Sequence, residues 1–73
     1  PLVGVFYAAP SPGAEPFVRV GSRVEKGDVL CIVEAMELMN EIQAERDGEI
    51  VDICAHDRDV VEFGQTLFKL YER

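Results

Sequence analysis

The chain has 73 residues, and 14 Asp and Glu against seven Lys and Arg give it a net charge of −7 and an isoelectric point near 4.5. This length allows one domain with a small core, and a hydrophobic share of 48% excludes a disordered segment. The acidic balance opposes binding to nucleic acid or to an anionic membrane, because both attract cations, and it favours partners with basic or mixed surfaces.

Short apolar or β-branched runs, bounded by glycines and Asp-rich turns, predict β-strands along the whole chain. In chain order the predicted strands are residues 3–7, 29–35, 50–55 and 66–71. Many short strands with regular turn signals indicate an all-β sandwich or barrel. Between the first two runs lies a Pro-rich stretch around Gly13, a composition that by itself is typical of a rigid connecting loop.

An internal repeat at an offset of 37 residues organises the sequence. Residues 17–34 correspond to residues 54–71, and both copies contain Val-Glu-x-Gly-Asp/Gln-x-Leu in the same apolar pattern. A duplicated unit predicts two quasi-equivalent halves related by a pseudo-two-fold axis. The matched positions Val24 and Val61, and Leu30 and Leu67, are therefore expected to be buried.

Residues 34–46 fit two structures. Ala, Glu, Met and Leu are good helix formers, and the apolar residues of this stretch fall at helical spacing. The same residues also alternate, with Leu38, Asn40, Ile42 and Ala44 on one face. The repeat favours the strand, because Glu34 corresponds to Tyr71 at the end of a predicted strand. We therefore expect residues 35–39 to form a hairpin, although no Gly or Asn-Gly marks its turn.

Two cysteines and one histidine give little chemistry. Cys31 and Cys54 have neither CxxC nor metal-ligand spacing, and His56 supplies no second ligand nearby. We expect two reduced thiols of the core type, with a disulfide as the alternative, and therefore a reducing, cytoplasmic compartment. No catalytic set and no metal site is predicted. Because the chain starts at Pro1 without Met, we expect a fragment of a longer protein, whose targeting sequence could lie outside it.

The segment from Glu34 to Asn40, Glu-Ala-Met-Glu-Leu-Met-Asn, resembles the attachment motif of biotin carrier domains, Glu-Ala-Met-Lys-Met/Leu-Met. With the opening residues 1–7 and the Pro-rich residues 8–17, the whole chain resembles the biotinyl domain of the biotin carboxyl carrier protein of acetyl-CoA carboxylase. Lipoyl domains have a similar fold but place Asp-Lys-Ala at the tip. The resemblance implies a flattened all-β sandwich or barrel of two four-stranded antiparallel sheets.

The resemblance also implies site residues. The cofactor-attachment position is Glu37, where the family has Lys. Recognition by the ligase and other partners is expected at Glu34, Ala35, Met36, Leu38 and Met39. For Met36 and Leu38 the alternative is an ordinary core position. In the family a Pro-rich insertion called the thumb projects beside the hairpin, and here it corresponds to Ala8, Ala9, Pro10, Ser11, Pro12, Gly13, Ala14 and Glu15.

By resemblance, the chain is a non-catalytic carrier domain in fatty acid biosynthesis and lipid metabolism. The family's cofactor is biotin, joined to Lys by an amide, and carboxybiotin moves between biotin carboxylase and carboxyltransferase. The expected partners are these two enzymes and biotin protein ligase, with no nucleic acid and no membrane. The isolated domain is expected to be monomeric. The location is cytoplasmic, or a plastid if the source is a plant.

Glu37 departs from the family at the decisive position. A carboxylate has no nucleophilic nitrogen, so it cannot attack activated biotin, and no cofactor is expected on this chain. Three explanations stay open: a deliberate replacement of Lys, a natural non-biotinylated paralogue that acts as an interaction module, and a sequencing error. A lipoyl-type carrier is a further alternative, but Met36 stands where Asp is expected and Glu37 offers no amine to that cofactor either.

Overall fold

A computed structural model of the chain describes residues 2–72, and its regular structure consists of β-strands. The strands are β1 Val3–Tyr7, β2 Arg23–Val24, β3 Val29–Ala35, β4 Leu38–Gln43, β5 Gly48–Ile53, β6 Val60–Glu62 and β7 Phe68–Tyr71. No helix in this part of the chain is long and apolar enough to cross a membrane.

The strands form two antiparallel sheets that pack into a flattened sandwich of about 35 × 28 × 18 Å. The first sheet has the order β4-β3-β1-β6 and the second the order β2-β5-β7. The predicted all-β class is confirmed. The expected strand number differs, because the second sheet has three strands within residues 2–72, and that range holds no counterpart of β4.

The core lies between the sheets in two clusters of buried side chains. One contains Val18, Val24, Leu30, Ala44 and Ile50, and the other contains Phe6, Cys31, Ala55 and Val61. Alternation along the strands explains the inward faces, since successive side chains of a strand point to opposite sides of the sheet. The rings of Phe6 and Phe68 meet at a centroid distance of 5.9 Å and join the two sheets.

The two halves have the same pairing scheme, as the repeat predicted. β1 pairs with β3 of its own half and with β6 of the other half. β5 correspondingly pairs with β7 and with β2. The loops repeat too: the Phe6 N–H donates to the Asp59 carbonyl at 2.8 Å, and the Ile50 N–H donates to the Ser22 carbonyl at 2.9 Å. The same backbone bonds therefore hold both halves.

The offset between the halves changes along the chain. Val24 pairs with Gly48 and Val61 pairs with Gly4, so β1 and β5 correspond to each other at an offset of 44 residues. The later strands correspond at an offset of 37 residues. The first half thus carries seven more residues than the second between its first and second strands. The predicted thumb segment, residues 8–15, lies in this interval.

The burial predicted from the repeat is confirmed at Val24, Val61 and Leu30 and is wrong at Leu67, which is only partly buried. The reason is a missing neighbour. In the first half Ala44 packs in the same cluster as Leu30. Within residues 2–72 nothing takes that place beside Leu67, which instead lines an open apolar groove of about 540 Å³. This open groove is lined by residues of β1, β3 and β4 and by residues of the segment from Val61 to Leu67.

The hairpin predicted at residues 35–39 is confirmed, and residues 34–46 contain no helix. Ala35 pairs with Leu38, so the turn consists of Met36 and Glu37 alone. Two predicted strands have the observed bounds, residues 3–7 and 29–35, while β5 and β7 are displaced by about two residues at one end or both. β2 and β6, with two and three residues, were not predicted.

Candidate functional site

The tip of the β3–β4 hairpin is a two-residue turn with left-handed backbone at both positions. Met36 has a φ of 53° and Glu37 a φ of 65°, as a type I′ turn requires. Such turns normally contain Asn-Gly, because a side chain in the left-handed region costs about 1–2 kcal/mol per residue. The fold holds both residues in this conformation, with the Glu37 side chain exposed at the tip.

Apolar side chains flank the tip and are open to solvent. Met36 is 78% exposed, Leu38 63% and Met39 60%. The prediction that Met36 and Leu38 lie outside the core is confirmed. We call these three side chains the hairpin patch, since exposed apolar residues around one turn are typical of interaction sites on soluble domains.

The structure divides the predicted recognition residues between two faces of the hairpin. Met36 and Leu38 line the open groove, together with Ala35. Met39 instead faces a second groove on the other side of the sheet. Glu34 lies half-buried on β3, one strand inward from Met39, with which it pairs. The hairpin therefore offers two distinct surfaces, one on each face of the first sheet.

Glu34 has a partner that the sequence did not reveal. The Tyr7 hydroxyl donates to Glu34 Oε1 at 3.0 Å. The carboxylate raises the pKa of Tyr7 above its usual value, chiefly because the hydrogen bond favours the protonated phenol. Tyr7 pairs with Ile32 and Val5 with Glu34, so this is a diagonal contact between β1 and β3. Only the register of the two strands, which the sequence does not state, could have revealed it.

The predicted thumb segment is a compact loop whose ends meet. The Phe17 N–H donates to the Ala8 carbonyl at 2.9 Å, and the Ala14 N–H donates to the Ser11 carbonyl at 3.1 Å. The Ala8 N–H donates to Asp57 Oδ1 at 2.9 Å, which joins the loop to the second half of the chain. Glu15 forms an exposed ion pair with Arg19 at 3.2 Å.

A groove of about 420 Å³ separates this loop from the first sheet. Pro10 and Pro12 form one wall, and Ile32 with Met39 forms the floor. The far end is polar, because Asp57 and Arg58 stand there. We call this the thumb groove. It brings the Pro-rich loop within reach of the β4 side of the hairpin, as expected for a segment beside the attachment turn.

The cysteines and acidic residues form no reactive centre in the described part of the chain. Cys31 is fully buried, which raises its pKa to about 11, so its thiol stays protonated. Cys54 is free and exposed, so the prediction of a second core-type cysteine is wrong. Its strand-end position after β5 turns the side chain outward. Within residues 2–72 no group of three His, Cys, Asp or Glu is placed to hold a metal ion.

Comparison with known proteins gives one consistent set of relatives. Residues 1–70 match the model of a biotinyl and lipoyl family described as biotin-requiring enzyme. The chain is 53% identical over 68 residues to biotin carboxyl carrier protein of acetyl-CoA carboxylase 1, chloroplastic, of Arabidopsis thaliana. The aligned residues cover 93% of this chain and 24% of that protein. It is 53% identical over 70 residues to the biotin carboxyl carrier protein of acetyl-CoA carboxylase of Pseudomonas aeruginosa, covering 96% and 45%.

A third relative is the corresponding protein of Pyropia yezoensis, 50% identical over 70 residues that cover 96% of this chain and 44% of the relative. The chain thus spans less than half the length of these curated relatives.

Proposed function

The chain belongs to the biotinyl and lipoyl family of biotin-requiring enzymes, and we propose that it is the carrier domain of an acetyl-CoA carboxylase, in a form that cannot accept biotin at its hairpin tip. The observation that carries this proposal is the exposed two-residue turn at Met36 and Glu37, flanked by the hairpin patch, in a chain about half identical to biotin carboxyl carrier proteins along nearly its whole length.

The geometry suits a carrier more than a catalyst. A side chain at the tip of a two-residue turn extends into solvent, while the sandwich behind it stays rigid. Such a tip can enter a partner's cleft, and tethering keeps the carried group at high effective concentration near each active site. The domain's own residues would present the group and contact the partners. Fatty acid biosynthesis, as the process served, follows from the carboxylase named in the relatives.

The residue at the tip does not fit covalent attachment of biotin. Amide formation needs a nucleophilic nitrogen, and the Glu37 carboxylate has none. Lys26 lies in the turn before Gly27, and Lys69 lies within β7, away from the hairpin patch. Both lysines are exposed, but neither is flanked by Met as position 37 is. As written, the chain holds the architecture of the carrier without its point of attachment.

We propose biotin protein ligase, biotin carboxylase and carboxyltransferase as the partners. The support is the hairpin patch, which is independent of the residue at position 37. Relatives include chloroplastic proteins and a protein of a bacterium, which is compatible with either a plastid or a cytoplasmic location.

A second candidate function follows from the same observation. With the hairpin patch exposed and Glu37 at the tip, the chain retains a partner-binding surface, so a non-biotinylated paralogue would act as an interaction module. The two candidates differ in whether position 37 carries Lys in the natural gene. Sequencing the source gene and measuring the intact mass of the natural protein distinguishes them.

The decisive experiment restores an amine at the tip. Glu37→Lys changes the net charge from −7 to −5 and leaves the fold in place, because an exposed charge swap usually alters stability by less than about 0.5 kcal/mol. After incubation with biotin protein ligase, biotin and ATP, mass spectrometry should show one added biotinyl group on this variant and none on the parent chain.

Glu41→Lys is the matched control, since it makes the same charge change at an exposed position of β4 away from the turn. It should stay unmodified. Biotinylation of Glu41→Lys at the same rate, or of the parent at Lys26 or Lys69, would show that the tip is not the attachment position. A folded Glu37→Lys variant that the ligase leaves unmodified would contradict the proposed function itself.

A further inference from the structure

The thumb segment is the main departure from the two-fold repeat, and one side chain of the second half is bonded to its start. Asp57 Oδ1 accepts a hydrogen bond from the Ala8 N–H at 2.9 Å, across 49 residues of sequence. The Ala8 carbonyl in turn accepts the Phe17 N–H at 2.9 Å, which closes the loop. Both backbone groups of Ala8 are thus hydrogen-bonded, and the hydrogen bond of its N–H depends on Asp57.

The corresponding loop of the first half shows that Asp57 is not needed for the turn itself. At the offset of 37, Asp57 corresponds to Val20, which carries no acceptor. The groups that close the turn are present in both loops. Ser22 Oγ accepts the Arg19 N–H in the first, and Asp59 Oδ2 accepts the His56 N–H in the second. Asp57 is therefore an addition found on the half that faces the thumb segment.

Arg58 is a second addition at the same place. Its φ of 71° is in the left-handed region, where its counterpart Gly21 has a φ of 96°. A glycine would hold this turn without a steric penalty, so the arginine side chain is kept at a cost of about 1 kcal/mol. That side chain lines the thumb groove, and its Nε lies 3.9 Å from Asp57 Oδ2. One carboxylate oxygen of Asp57 thus serves the loop and the other faces the arginine.

We propose that Asp57 is a positioning residue, whose carboxylate fixes the start of the thumb segment and so holds Pro10 and Pro12 as one wall of the thumb groove beside the hairpin. The anchor concerns the shape of the groove and does not depend on biotin attachment. Only its consequence for partners, namely which face of the hairpin is left open, rests on the proposed function.

The test uses amide hydrogen exchange and ¹⁵N relaxation on the full chain. In Asp57→Ala the Ala8 amide should exchange about tenfold faster, because one hydrogen bond is lost. Order parameters of the amides of residues 9, 11, 13 and 14 should fall towards about 0.6, the range of flexible backbone. The Phe6 amide, which donates to the Asp59 backbone, should exchange at the parent rate.

Two further variants separate positioning from general destabilisation. Asp57→Asn keeps an oxygen acceptor and should restore the Ala8 protection and the order parameters. Val20→Ala, at the pseudo-two-fold counterpart, should leave both unchanged. Unchanged Ala8 exchange in Asp57→Ala overturns the proposal, and so does faster exchange spread evenly over Phe6 and Ala8. Failure of biotinylation at position 37 would leave these measurements unaffected, so the two hypotheses fail separately.

Discussion

The two halves of this domain share a framework and differ in what they attach to it. Phe6 and Ile50 are both fully buried at matched positions of β1 and β5, and both form the same backbone hydrogen bonds with the flanking loops. The first half adds seven residues between its first two strands and continues through the Met36–Glu37 turn into β4. The second half has no counterpart of the seven added residues, whereas the positions that would match the Met36–Glu37 turn lie outside residues 2–72. The thumb segment is therefore the part of the proposed site that breaks the repeat.

This comparison separates residues that maintain the sandwich from residues that form the site. Matched positions, such as Val24 and Val61, occupy the core and carry no chemistry. The thumb segment and Asp57 are unmatched, and together with the hairpin patch they line the two grooves. Substitution of matched pairs should test how nearly equivalent the halves are.

The largest difference is expected at Leu30 and Leu67. Leu30→Ala should lower the unfolding free energy by about 2–4 kcal/mol, because a buried side chain next to Ala44 leaves a cavity. Leu67→Ala should cost about half as much, because Leu67 already borders the open groove. Urea unfolding of both variants measures the difference, and equal losses would show that the groove is closed in solution.

The next effect concerns two matched glycines in the first residues of β1 and β5. A Cβ at Gly48 would collide with the backbone carbonyl oxygen of Tyr71. At Gly4 it would meet the Val33 Cγ1 at 2.6 Å and the backbone carbonyl oxygen of Glu34 at 2.9 Å. The Val33 side chain can shift, and the backbone contact at Gly4 is longer than the one at Gly48. Gly48→Ala should therefore cost about 2–3 kcal/mol and Gly4→Ala about 1 kcal/mol, measured by thermal and urea unfolding. A reversed order would contradict the packing described for β7.

A smaller effect of opposite sign is expected at the hairpin tip. Glu37→Gly should raise the unfolding free energy by about 1 kcal/mol, because glycine adopts the left-handed turn without strain. Glu41→Gly, in the middle of the exposed β4, should instead lower it by about 0.5–1 kcal/mol. Stabilisation by both variants would rule out turn strain as the cause.

The smallest effect is expected from making the halves alike. Residues 8–16 can be replaced by Asp52 and Ile53, which connect the corresponding points of the second half. The variant should unfold cooperatively, with a free energy within about 1 kcal/mol of the parent, because the removed residues are mostly outside the core and a shorter loop costs less closure entropy. Circular dichroism melts give the comparison, and a broad transition would assign the thumb segment to the framework.

Much of the framework could be predicted from the sequence, because it depends on local patterns. The repeated Val-Glu-x-Gly motif located Val24 and Val61 and gave the pseudo-two-fold relation, and the relation in turn decided between hairpin and helix for residues 34–46. The turn itself has no glycine signal. Its left-handed residues are imposed by the pairing of β3 with β4, which local propensity does not describe.

The missed features depend on contacts between distant residues. The bond between Tyr7 and Glu34 requires the register of β1 against β3, and the anchor of Asp57 on Ala8 joins residues 49 apart. The burial of Leu67 depended on a neighbour that the described chain does not supply. The offset of 44 between β1 and β5 could not be found from the sequence, because the two strands share only a glycine and one large apolar residue. These residues are Gly4 and Phe6 in β1, and Gly48 and Ile50 in β5.

The central place of β1 in its sheet has a consequence for the time course of folding. β1 lies between β3 and β6, so residues 3–5 reach their second partner only when residues 60–62 are available. During synthesis at about 5–20 residues per second, the nascent chain can close the β3–β4 hairpin early but not the sheet. Non-local pairing of this kind slows folding, since loop closure precedes the gain from contacts. All residues of the hairpin that bears the proposed site are thus synthesised before the residues of β6 that complete its sheet.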